Sequence, residues 1–571
     1  MKGASWSRSD VVKRVLLVFV VLLGTGLALR WLRPPARTLY VGGPILTMDP
    51  QDRVVEALAV EGERIAAVGD APELRAWAAQ NGARTVDLGG HALLPGFVDA
   101  HGHYPGAGLD AVAAVLSPPP IGAVTSIAGL QAALQTRVEE TSEGDWVAGF
   151  GYDDTLLAER RHPTRADLDA VSTRHPVAAI HVSGHLAAVN SAGLAKLGIG
   201  DSTPDPEGGR IRRGADGHPD GVLEETAAEQ AVLLLANPGV LDGLRIVRRA
   251  NELYLAAGVT TAQVGLATPD QLSSLPRLAR IGLVPLRLVL WPSQEASETI
   301  LDRGPEPTSD DPWLRVGAVK LVADGSLQGY TGYLSQPYFV PPVDDLSYRG
   351  YPRFPREDLV RTVERVHRAG LQVAIHGNGD AAIDDILDAL EAAQRAAPRA
   401  DARPVIVHAQ TAREDQLDRM AALGAIPSFF VLHTWYWGDR HYERFLGPER
   451  ASRISPAGSA ARRGIPFTLH ADTPVVPMEP LRIVWSAVNR RTTGGRVLGP
   501  EQSVTPLRAL RAITIDAARQ RFLENDRGSL EPGKLADLVI LDRSPLDDPE
   551  GIDRLRVLET VVGGETAYRT D

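Results

Sequence analysis

Short apolar runs alternate with longer amphipathic stretches through most of the chain. The runs Leu93–Val98, Val259–Val264, Leu286–Leu290, Val316–Val322, Gln372–Ile375, Val405–Val407, Ala425–Ser428 and Phe467–Leu469 are rich in apolar residues, as expected of strands buried on both faces. Ala/Leu/Arg-rich helical stretches separate them, and this alternation predicts a parallel α/β architecture. The expected fold is a (β/α)8 TIM-like barrel over residues 93–524. The interval 104–258 is too long for one connection and holds strand-like runs of its own at Trp146–Phe150 and Val177–Val182. It reads as a large insertion after strand one, sited above the strand ends where barrel active sites lie.

Two further β-rich stretches occupy the chain ends: Thr38–Val41, Ala57–Val60, Arg64–Val68 and Thr85–Leu88, then Leu538–Leu541 and Thr560–Gly564. Neither set buries a face alone, so residues 36–92 and 525–571 are expected to pair into one small β-sandwich.

The first 35 residues differ in character. Val15–Leu29 is uncharged and flanked by Lys13, Arg14 and Arg30. Extended to Val11–Leu32, with basic side chains snorkelling outward, the segment is long enough to span a bilayer. Trp31 beside Arg30 and Arg33 favours an interfacial anchor. Residues 1–35 are therefore expected to form an N-terminal membrane helix holding an exported catalytic domain. The alternative is a secretory signal cut near Gly26-Leu27-Ala28, leaving a secreted or periplasmic protein.

Composition narrows the chemistry. The 571 residues carry a net charge of −11 with no long basic run, which argues against nucleic acid as a partner. There is no cysteine, so disulfides, thiolate ligands and a cysteine nucleophile are excluded. Any metal must be held by histidine, carboxylate or a modified lysine.

His101-Gly102-His103 follows the first apolar run. Side chains two apart on a strand project to one side, so both imidazoles can address one cation. Lys320 lies in the fourth run, His376 and His408 end the fifth and sixth, and Asp472 follows the eighth. Gathered at one rim, these residues form a candidate metal site. Lys320 has a plainer reading, as a lysine paired with Asp324. His470, two residues before Asp472, either faces the site or packs at its rim.

The order H-x-H, Lys, His, His, Asp resembles the amidohydrolase superfamily. So does the segment Gly528–Asp542, and Gly258-Val259-Thr260-Thr261 is similar to that superfamily's second-strand motif. Gly151-Tyr152-Asp153-Asp154 and Ser183-Gly184-His185…Asn190-Ser191 resemble amidohydrolase family 3, the group containing N-substituted formamide deformylases. The resemblance implies one or two divalent ions, zinc expected. His101 and His103 would bind one metal, His376 and His408 a second, and an N-carboxylated Lys320 would bridge them. Asp472 would be both ligand and general base. The implied enzyme hydrolyses a non-peptide carbon–nitrogen bond (amide, formamide or cyclic amide) of a small molecule by metal-activated hydroxide. A deaminase acting on a ring C–N bond and a non-catalytic, membrane-tethered binding protein are the alternatives. His185, Arg210 and His433 are candidate substrate contacts. Phe429-Phe430-Val431-Leu432-His433 departs from the more polar run usual there and suggests an apolar pocket.

Overall fold

The computed structural model describes residues 36–236, 238–303, 311–342 and 345–570. The expected N-terminal membrane helix lies outside the described residues. Among those described, no single helix is long and apolar enough to cross a membrane.

Apolar runs become parallel strands in two arcs. Strand one (Phe97–Val98), strand two (Val259–Ala267), strand three (Arg287–Pro292) and Leu314–Val316 form the first arc. Val319–Val322, strand five (Val373–Gly377), strand six (Val405–His408), strand seven (Ile426–Phe429) and strand eight (Thr468–Leu469) form the second. Leu314–Val316 and Val319–Val322 are two halves of strand four. The break falls at Gly317, where a β-carbon would stand 2.9 Å from the Trp291 ring. Strands one and eight have only two residues each, and no ladder joins them among the described residues. Hydrogen bonds just past their ends span the gap instead: Asp472 N to His101 O at 3.1 Å and His103 N to Thr473 O at 2.7 Å.

The helices between strands follow from local chemistry. Pro269–Arg280 starts with proline in its first turn and a capping box in which Thr268 and Gln271 satisfy each other's backbone amides. Asp380–Ala396 buries Ile383, Ile386, Leu387 and Leu390 on one face, the 3.6-residue stripe that packs against a sheet.

The run expected as one strand over Leu93–Val98 is two. Ala92–Pro95 pairs with Leu538–Leu541 and Arg37–Leu46 in the sheet of the chain ends, and only Phe97–Val98 joins the arcs. Gly96 divides them, because a β-carbon there would lie 2.3 Å from Thr260. That end sheet is one eight-stranded mixed sheet rather than two separate ones. The buried Arg287 of strand three locks it to the arcs, donating from Nε and Nη2 to Asp537 at 2.7 and 2.9 Å.

The insertion carries its own six-stranded sheet, in the order Gly209–Arg213, Pro219–Glu225, Leu186–Val189, Val177–His181, Val147–Tyr152, Ala114–Val115. Its two faces bury separate apolar clusters around Leu130 and Leu223. It can thus hold side chains over the strand ends as a packed unit, not as a loose loop.

Candidate metal centre

Strand ends from both arcs bring His101, His103, Lys320, His376, His408 and Asp472 together. His101 Nε2 and His103 Nε2 stand 3.4 and 3.2 Å from Asp472 Oδ1. Lys320 Nζ lies 3.2 Å from His101 Nε2, and His408 Nε2 is 4.0 Å from Asp472 Oδ2. The His376 and His408 rings are 4.5 Å apart, edge to face. All but His103 are buried.

Whether a cation fits can be judged from the donors. Asp472 Oδ1 is buried with no hydrogen-bond partner, although two imidazole nitrogens stand within 3.4 Å of it. Ligand atoms about 2.0–2.2 Å from a tetrahedral ion are separated by roughly 3.3–3.6 Å. The spacing is that of ligands sharing an ion. His101 Nδ1 is occupied by Gln263 Oε1 at 3.3 Å and His408 Nδ1 by His470 Nε2 at 3.1 Å, which turns Nε2 of both toward Asp472. His376 is arranged the other way round. Its Nε2 meets the Gly325 carbonyl at 3.1 Å and the Asn378 amide at 3.0 Å, leaving Nδ1. Such outer contacts fix tautomer and ring orientation at metal sites.

Burial lowers His101, His376 and His408 well below the ordinary imidazole value, so these rings are neutral and have lone pairs to offer. Burial also pushes the Asp472 carboxyl up, but the imidazoles of His103, His408 and His101 facing it outweigh that and hold the group well below the usual range. Lys320 is pushed down to about 8 by burial. Asp324 accepts from the backbone amides of Tyr333, Asn378 and Gly379. It is occupied by those bonds, and the Lys320 ammonium meets His101 instead.

Local backbone is bent to make this arrangement. His408 and Asp472 have φ of 70° and 55°, a left-handed conformation that costs a non-glycine residue about 1–3 kcal/mol and clusters at functional sites. Gly102 lets the backbone between the two histidines pass close to Asp99: a β-carbon there would lie 2.5 Å from Asp99 Oδ2.

The remaining candidates divide. His185 reaches the cluster from the insertion, its ring 5.0 Å from His376 and its Nδ1 2.8 Å from Glu225 Oε2. His433 is buried against Phe430 and Trp437, with Nδ1 on His441 Nε2 at 3.1 Å. Arg210 sits exposed on the edge strand Gly209–Arg213, and no described contact links it to the histidines. His470 packs behind the site between His408 and Ser428. Sequence reasoning missed Glu225, Gln263 and Asn378, and named Asp324 only as a partner for Lys320. Buried carboxylates or amides beside strand ends were the available signal.

Residues 84–568 match the model described as Amidohydrolase family. The chain is 31% identical to an N-substituted formamide deformylase of Arthrobacter pascens, over 93% of this chain and 98% of that protein. It is 30% identical to Protein LONG AFTER FAR-RED 3 of Arabidopsis thaliana, over 95% and 94%. The crystal structure of an uncharacterized metal-dependent hydrolase from Pyrococcus horikoshii superposes with a TM-score of 0.73 at 28% identity, covering 90% of this chain and 99% of that one. With a family match spanning most of its length and its histidines, lysine and aspartate converging at the strand ends, the chain belongs to the amidohydrolase family.

Proposed function

We propose that the protein is a metal-dependent hydrolase that cleaves the carbon–nitrogen bond of an N-substituted formamide or a related small or cyclic amide. The observation that carries this reading is the buried, unpartnered Asp472 Oδ1 between His101 and His103, with Lys320 alongside. A divalent ion bound there, zinc by choice of donors, lowers the pKa of water toward about 7 and polarises a carbonyl.

The chain supplies the rest. His101, His103 and Asp472 would hold one ion, His376 through Nδ1 and His408 through Nε2 would hold a second, and Lys320 as its N-carboxylate would serve both. A buried ammonium would repel two dications, whereas a carbamate presents two anionic oxygens. The Asp472 carboxylate, ionised at neutral pH, accepts the proton of the attacking water and returns it to the leaving nitrogen. Glu225 keeps the His185 imidazole turned toward the pocket, where its other nitrogen hydrogen-bonds the substrate. Phe430 and Trp437 make an apolar wall that shields the reacting bond from bulk water and takes an apolar N-substituent. We read the two arcs as one closed (β/α)8 barrel, with the insertion roofing its mouth.

The test is hydrolysis by protein reconstituted with zinc and bicarbonate, on matched N-substituted formamides, larger N-acyl amines, hydantoin-type rings and aminated rings. Turnover of formamides ahead of the other classes is expected. Turnover of aminated rings alone would replace the amide reading with the deaminase one, and inertness toward all four would refute it.

A further inference from the structure

A second group of ligand-type side chains lies in the insertion, away from the strand-end cluster. Val147–Tyr152 and Val177–His181 are adjacent parallel strands with Tyr152 opposite His181. Asp153 and Asp154, just past the first strand, are thereby set against His181 at the end of the second. Asp153, Asp154 and His181 each present a donor atom within 4.8 Å of the others. His162 comes in from the following loop, its Nε2 3.8 Å from Asp154 Oδ2.

Donor accounting here repeats the pattern at Asp472. His181 is fully buried, and its Nε2 stands 3.3 Å from Asp154 Oδ1. Neither atom has a hydrogen-bond partner. A simple ion pair would swing the N–H onto the oxygen. Instead the two atoms keep the roughly 3.3–3.6 Å spacing of neighbouring ligands on a tetrahedral ion, as His101 and Asp472 do at 3.4 Å. The opposite ring atoms are occupied: His181 Nδ1 by Ser183 Oγ at 2.8 Å, and His162 Nδ1 by Tyr152 Oη at 3.0 Å. Both imidazoles are thus oriented with Nε2 toward Asp154, as outer contacts orient ligands in metal sites.

Asp153 has a different part. Its Oδ1 accepts from Thr155 N and Oγ1 at 3.0 and 2.6 Å, and its Oδ2 from Trp437 Nε1 at 2.9 Å. It ties the group to the helix His433–Arg440, whose Arg440 comes within 3.6 Å. Two neighbouring carboxylates, Asp153 buried and Asp154 partly so, face that guanidinium on one side and two imidazoles on the other.

We propose that Asp154, His162 and His181 bind a divalent cation of the zinc class, separate from the catalytic ions, which fastens the insertion over the strand ends. Two imidazoles and a carboxylate without thiolate suit such an ion, and a fourth position remains for water.

Cobalt(II) is the probe. In the full chain with His101→Ala and His408→Ala, which disable the strand-end cluster, metal-stripped protein titrated with Co2+ and desalted should retain one equivalent by elemental analysis. Adding Asp154→Asn, a change of little volume, should abolish it. In the parent chain, Asp154→Asn should lower bound Co2+ by one equivalent while the strand-end ions persist. No bound Co2+ in the His101→Ala/His408→Ala protein would overturn the proposal. So would an equivalent that survives both Asp154→Asn and His181→Gln. Loss of formamide turnover in the parent bears on the hydrolase reading, not on this one.

Discussion

The Arg287–Asp537 pair makes a quantitative test of how the end sheet is fastened to the arcs. Both side chains are buried, and Asp537 accepts two bonds from Arg287 and one from Gly563 N at 2.9 Å. Asp537→Ala leaves the Arg287 guanidinium buried without its counterion, close to a second buried cation, Arg527. Breaking one side of a buried pair costs about 3–5 kcal/mol, and the orphaned Gly563 amide adds about 1 kcal/mol. Replacing both members, as Arg287→Met with Asp537→Leu, removes the stranded charge and should recover most of that loss. Burial pushes the Asp537 carboxyl up, but Arg287 outweighs it and leaves the group below its usual value. A depressed carboxyl contributes stability above its unfolded pKa of about 3.9 and loses it as pH falls through the folded value. The gap between parent and Asp537→Ala should therefore be full at pH 7 and close in acid below about pH 4. Urea unfolding followed by tryptophan fluorescence is the assay, since Trp313 lies against Arg287 at 4.5 Å. A single variant within about 1 kcal/mol of the parent at pH 7, or a double variant worse than the single, would refute the reasoning.

Two further outcomes follow from the geometry. Gly102→Ala should force Asp99 away from the H-x-H segment, costing about 1–3 kcal/mol and lowering bound metal and turnover together; parent-like metal content would show that the close approach is dispensable. Removing residues 1–35 should leave kcat unchanged, because every cluster residue lies beyond residue 100; a folded but inactive truncated chain would contradict that separation.

The site was legible because its residues end apolar runs. His376 and His408 lie at the ends of buried parallel strands, and His101–His103 follow strand one closely in the chain. The split of Leu93–Val98 was not legible, since the pattern is apolar throughout and only a crowded glycine divides it. Supporting residues were hidden for another reason. Gln263 meets His101 across 162 positions and Glu225 meets His185 across 40, and nothing local marks a polar residue whose partner is that remote. The expected contact at Arg210 rested on residue type within the insertion, and an edge strand exposes whatever it carries. His470 could not be assigned from its spacing to Asp472, because strand eight ends at Leu469 and the left-handed Asp472 breaks the alternation between them; the His470 ring backs His408.

The central claim is that the strand-end cluster holds metal and that Asp472 moves the proton. Asp472→Asn tests both at once, because the amide oxygen keeps the shape and some coordination but cannot carry the proton. Bound zinc and formamide turnover should be measured on the same preparation of parent and variant. The account predicts metal content close to the parent's with turnover lower by about 10²–10⁴-fold; a variant that keeps its metal and turns over like the parent would contradict it.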